Sequence, residues 1–174
     1  MKRRSTILAL AFLILAAIVV TTRSSSAVEQ EGSFASSASG QGEFTFFNGS
    51  TTEQWSYSFK AATNKHDKTR GRAIFNILEN FTETQVVVKI NCLNAVLEFG
   101  TASALMTGTV LRSNDPEFPK HSTIIFGADD NASFPNPLPD IITRPFVFEG
   151  GDCDAGGFPL TFFQQSPDAI HIEP

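Results

Sequence analysis

The sequence predicts an all-β chain of about eight short strands, forming an antiparallel β-barrel with a β-sandwich as the alternative, preceded by a signal peptide. Three observations carry that reading. Apolar and polar residues alternate with a period of two through most of the chain after residue 42. Gly, Pro, Asn, Asp and Ser interrupt the alternation at fairly regular intervals, as turns between short strands require. No window shows a convincing helical period. The 17 phenylalanines, against one Trp and one Tyr, agree with a β fold, because aromatic side chains suit pleated, half-buried surfaces.

The elements follow in order. Lys2, Arg3 and Arg4 precede an apolar run from Ile7 to Val20, and small residues at Ser25 and Ala27 follow it. Residues 1–27 therefore read as a secretory signal peptide with a mature start near Val28. The run is shorter than the roughly 20 residues that span a bilayer, and an uncleaved anchor is the alternative. Residues 28–41, rich in Ser, Ala and Gly, read as a flexible segment, and 42–174 as a single all-β domain.

Phe44 and Phe46, then Trp55, Tyr57 and Phe59, alternate with polar residues around the turn Asn48-Gly49-Ser50, which predicts a hairpin. A polar connection, Ala61 to Gly71, leads to apolar stretches at Arg72 to Leu78, Gln85 to Leu93 and Ser103 to Leu111. Gly108 inside the last of these predicts a bulge or a close backbone approach. Ser113-Asn114-Asp115-Pro116 is a turn, and Ser122 to Ala128 is a strand. Ile141 to Phe148 is another, pushed toward an edge or a bulge by Pro145. Leu160 to Phe163 and Ala169 to Ile172 complete the set.

Charge and cysteine content narrow the function classes. Without its leader the chain keeps nine basic residues against 18 acidic ones, which excludes a nucleic-acid ligand. The one basic cluster, Lys60 to Arg72, reads as a solvated turn. No second apolar run is long enough to span a membrane after signal cleavage. Cys92 and Cys153 form an even pair in an exported chain and predict one disulfide.

Chemistry-bearing motifs are sparse. His66, His121 and His171 are scattered, and there is no GxSxG elbow, no CxxC and no lipocalin GxW signature. Asp129, Asp130, Asp152 and Asp154, on glycine-bearing loops, offer the hard oxygen ligands that calcium takes, although no DxDxDG-like loop frames them. No other cofactor is indicated. Three Asn-x-Ser/Thr sequons, at Asn48, Asn80 and Asn131, fall at strand ends and loops.

Three stretches, taken together, carry a resemblance: Gly42 to Phe47, Lys89 to Leu93 with Gly108-Thr109-Val110, and Ser113 to Pro116 with the Pro139-Asp140 and Cys153 region. The chain resembles a group of small, largely uncharacterised exported bacterial all-β proteins from Gly40 to about Gln165. The resemblance implies export and a β domain, and it carries no catalytic residue. The leading expectation is thus a non-enzymatic binding or structural module acting outside the cytoplasm on a protein or glycan. The alternatives are a carrier of a small apolar ligand, lined by Phe44, Phe46, Trp55, Tyr57 and Phe59, and a small secreted barrel enzyme.

Overall fold

The computed structural model describes residues 34–131, 138–150, 152–153 and 161–174, so the expected signal peptide and Asp154 lie outside it. The described chain is all-β, and its ten strands form one antiparallel sheet. They are β1 (Phe34–Phe47), β2 (Thr52–Asn64), β3 (Thr69–Glu79), β4 (Thr82–Glu98), β5 (Thr101–Ser113), β6 (Thr123–Asp130), β7 (Ile141–Thr143), β8 (Phe146–Val147), β9 (Phe162–Gln164) and β10 (Ile170–Glu173). The sheet order is β10-β1-β2-β3-β4-β5-β6-β7-β9, with β8 pairing β6 beside β7. One continuous sheet, curled into a half-barrel, sets aside the two-sheet sandwich.

Alternation explains the curl's inside. Along β2, Glu53, Trp55, Tyr57, Phe59, Ala61 and Thr63 are buried, while most of the residues between them are exposed. Ala73, Phe75 and Ile77 of β3, Val86, Val88 and Ile90 of β4 and Ile124 and Phe126 of β6 join them in one core. A register shift between Ile90 and Cys92 inserts a bulge, after which Leu93 and Ala95 pack against the core. Gly108, opposite Ile90, lies under that bulge, where a Cβ would come within 2.5 Å of the Lys89 carbonyl oxygen. The close approach expected of this glycine is therefore present.

Two expectations need correction. The reading of 28–41 as flexible fails over its second half, because β1 begins at Phe34 and pairs with β2 along its length. Its small residues are packed, not loose: Ala38 is buried, and a Cβ on Gly40 would stand 2.7 Å from the Phe59 ring. The polar connection from Ala61 to Gly71 is likewise only a short turn, since β2 runs to Asn64 and β3 starts at Thr69. Pro145 acts as expected, separating β7 from β8.

The curl's margins meet through side chains. The main-chain N–H of Ile172 donates to Asp130 Oδ2 at 3.1 Å, and that of Ile170 to Asp140 Oδ2 at 2.9 Å. Asp140 also accepts from the Asn131 N–H at 3.0 Å. Two carboxylates thus take the place of a neighbouring strand for β10, whose other edge pairs with β1. On the outside of β5 and β6, Leu105 and Ile125 pack with Cys153, Cys92, Phe146 and Phe148. The Cys92–Cys153 disulfide, with Cα atoms 5.8 Å apart, fastens this outer strap.

Candidate functional site

The five aromatic residues expected to line a ligand cavity all face the inside of the curl, but their rings pack on one another. Phe44 stacks on Phe163 at 4.1 Å and on Trp55 at 5.5 Å between centroids, and Tyr57 stacks on Phe59 at 6.1 Å. Trp55 meets Phe75 and Phe118 edge-on, and Phe126 receives Phe59 and Phe75 in the same way. Rings in mutual contact pack on one another as they do in a filled interior.

One end of the curl is closed by a charged plug that the sequence did not signal. The Arg144 guanidinium lies 4.7 Å from the centroid of the Phe46 ring and 5.0 Å from that of Trp55. It donates to both carboxylate oxygens of Glu117, at 2.8 and 2.5 Å, and stands 3.8 Å from Glu53. Glu53 in turn accepts from Trp55 Nε1 at 2.7 Å and from Asn48 Nδ2 at 2.9 Å. Phe118, fully buried, carries the β5–β6 loop over the same end. An arginine after a short strand and before a proline gives no pattern to read; only the fold brings its partners together.

Two hairpin tips project beside this plug. Glu79 pairs with Thr82 across a two-residue loop, Asn80-Phe81, in which φ is 47° and 63°. These values are those of a type I′ turn, whose second position favours glycine. Here that position holds Phe81, and its side chain is fully exposed. On the neighbouring β1–β2 tip Phe47 is also exposed, and Thr51 Oγ1 donates to Glu79 to join the two tips. Leu78, exposed as well, lies behind them on the outer face.

From these tips a groove of about 510 Å³ runs over the outer face of β1 to β4, lined by Glu43, Gln54, Ser56, Asn76, Leu78 and Glu83 among others. Its polar groups are held in order across strands. Asn76 Nδ2 donates to Ser56 Oγ at 3.1 Å, Gln85 Nε2 to Asn76 Oδ1 at 2.8 Å, and Arg112 to Gln85 Oε1 at 2.6 Å. A larger groove of about 830 Å³ follows the outside of β1 and β2 beside Gln164 to His171. The exposed rings Phe47 and Phe81 line neither groove; they stand on the hairpin tips beyond Leu78 and Glu83, where the smaller one ends.

The four aspartates expected to hold calcium have different settings. Asp130 serves the β10 seam, and His171 Nδ1 stands 3.7 Å from it. Asp129 faces Ser103, and burial raises its carboxyl above the ordinary range, against the hydrogen bond from Ser103. Asp152 sits at the disulfide on the outer strap, and Asp154 lies outside the described residues. Among the described residues, the one gathering of three metal-capable groups is Cys92, Asp152 and Cys153, whose sulfurs are already bonded to each other. The calcium expectation is thus not supported by a cluster of oxygens. Three buried polar atoms lack a hydrogen-bond partner among the described residues: Tyr57 Oη, Thr107 Oγ1 and Arg144 Nε. Comparison with known proteins finds no family model, no curated protein and no solved structure that matches this chain.

Proposed function

We propose that this chain is an exported, non-enzymatic β module that binds a glycan across the outer face of β1 to β4, with Phe47 and Phe81 on the hairpin tips beyond the groove. The observation that carries the reading is Phe81, which holds a bulky, fully exposed ring in left-handed backbone. Such a conformation costs on the order of 1–3 kcal/mol and does nothing for the core. Folding alone would favour glycine there. A ring kept at that cost, on a tip tied to its neighbour by Thr51 and Glu79, suits contact with something outside the molecule.

Glycan chemistry fits the rest of the face. Sugars present hydroxyls that both donate and accept, and apolar C–H faces that rest on aromatic rings. The amides of Gln54, Asn76 and Gln85 and the carboxylates of Glu43 and Glu83 supply both polarities on one surface. Ordering by Ser56 and Arg112 reduces the entropy lost when a ligand is bound. The scarcity of catalytic constellations among the described residues supports binding over catalysis.

The test is a screen of the exported protein against immobilised oligosaccharides, followed by calorimetry on hits. Phe81→Gly should raise unfolding stability by about 1 kcal/mol, since the strain disappears, and should weaken glycan binding at least about tenfold, near the cost of one lost aromatic contact. Asn76→Ala should weaken binding without changing the fold. A wild-type protein that binds no oligosaccharide, or a Phe81→Gly protein that binds as well as wild type, would overturn the reading.

A further inference from the structure

At the opposite end of the curl, β4 outruns its neighbour. Its last pair with β3 is Ile90 with Gly71, yet β4 continues to Glu98. From Asn91 to Glu98 one edge pairs with β5, and no strand is paired with the other among the described residues. Exposed edges of this length are normally blunted by lysine, proline or an inward charge. This one reads Asn91-Cys92-Leu93-Asn94-Ala95-Val96-Leu97-Glu98, and its only charge is the final glutamate. Val96 is 39 % exposed, Leu97 63 % and Phe99 99 %. The turn that follows, Phe99-Gly100, is again of type I′ (φ 52° and 89°), with phenylalanine where asparagine or glycine is favoured.

We propose that this open edge pairs with the same edge of a second copy, forming a two-fold dimer through antiparallel β4 strands. The sequence is complementary to itself in one register, with the axis at Val96. Val96 then faces its own copy, Ala95 faces Leu97 and Asn94 faces Glu98, while Phe99, in the turn, comes to the level of Leu93. The Ala95–Leu97 pair falls on the inner face with Leu93, the Val96 and Asn–Glu pairs fall on the outer face, and no like charges stand opposite each other. The tip of the second copy reaches the level of Cys92, just past the last residue that β3 pairs.

Charge favours the same arrangement. The free edge begins beside the β2–β3 turn, where Lys65, Lys68 and Arg70 are all exposed, and it ends at Glu98. An antiparallel two-fold carries the Glu98 of each copy toward the basic turn of the other, twice by symmetry. In an acidic chain these clustered basic residues flank an open strand edge among the described residues. A second copy is therefore the occupant, in preference to an unrelated strand.

Sedimentation of the exported, disulfide-intact chain tests the proposal. A dimer with a dissociation constant between about 1 and 100 µM is expected, as suits a small interface. Val96→Cys should trap a covalent dimer under air, because the residue sits on the axis. Val96→Lys should give a monomer with an unchanged circular-dichroism spectrum, and Leu97→Asn serves if that lysine disturbs folding. Glu98→Lys should shift the equilibrium toward monomer. A wild-type chain that stays monomeric at about 100 µM, a dimer indifferent to these substitutions, or a Val96→Cys protein that does not cross-link would each overturn it.

Discussion

At the scale of single residues, the buried polar groups make the sharpest predictions. The Tyr57 hydroxyl is buried without a partner among the described residues, near Asp140, at a place opened by Gly42. A Cβ on Gly42 would collide with Gln165 and come within 2.8 Å of that hydroxyl. Burial, with a smaller push from Asp140, raises the Tyr57 pKa above the usual phenol range. The folded state therefore holds this proton more tightly than the unfolded chain does. Its contribution is intact below the unfolded phenol value of about 10 and is lost as pH climbs toward the folded value. Tyr57→Phe removes that alkaline loss and an unpaired hydroxyl together. Its stability in urea should match or exceed that of wild type at pH 7, and a melting temperature followed above pH 9 should fall less steeply. Asp129 has the same direction with an acid consequence. Its raised carboxyl favours the protonated form in the fold, so ionisation at neutral pH opposes folding. Asp129→Asn keeps an oxygen for Ser103 and should raise stability at pH 7, with the gain vanishing near pH 3. A gain that persists undiminished at pH 3 would place its cause elsewhere.

At the scale of elements, the seam along β10 depends on two carboxylates where a sheet ordinarily uses a strand. Asp140 accepts from the Ile170 and Asn131 amides, all in buried surroundings. Removing the acceptor strands two donors, at about 1–3 kcal/mol each. Asp140→Ala should therefore lower unfolding stability by about 3 kcal/mol, summing the two near the lower half of that range. Asp140→Asn, which retains one acceptor oxygen, should cost less. Hydrogen exchange at Ile170 should rise by a larger factor than at Phe75, because the seam opens before the core does. Equal acceleration at both positions would mean that β10 is bound by its β1 ladder alone.

The seam also shows what the sequence could not tell. The period of two made Trp55 to Phe59 and Val86 to Ile90 legible as strands, because a residue's burial there depends on its own side chain and its neighbours along the chain. Asp130 and Asp140 looked like loop acids because their partners, Ile172 and Ile170, lie far away in sequence. The stretch Ser36 to Gly42 looked flexible for a related reason. Its inward positions are Ala38, Gly40 and Gly42, small because Phe59 and Tyr57 on β2 occupy the space a side chain would need. Small residues in a leader and small residues under aromatic rings have the same composition. Asn80-Phe81 was legible only as a sequon, since a phenylalanine at the glycine position of a tight turn contradicts the usual turn signal.

At the scale of the whole molecule, the single disulfide decides whether the outer strap is part of the fold. The core inside the curl is continuous and makes no use of Cys92 or Cys153, which lie in a separate small cluster with Leu105 and Ile125. Between Phe148 and Cys153 the described strap is held by the Phe148 N–H bond to Thr123 and by the Cys153 N–H contact with Cys92 Sγ. The bond joins residues 61 apart in sequence, and chain entropy assigns such a loop about 4 kcal/mol of stabilisation. That is comparable with a large share of the total stability of an ordinary domain. Urea unfolding with and without reductant, on otherwise identical protein, should therefore separate by about that amount. The reduced protein should keep its β-sheet circular dichroism below its own midpoint, because β1 to β6 retain their ladder. It should also bind an apolar dye, since Leu105 and Ile125 lose their cover when the strap lifts. An unchanged midpoint would show that the strap holds by packing alone, whereas loss of all β structure on reduction would make the outer cluster a precondition for the curl.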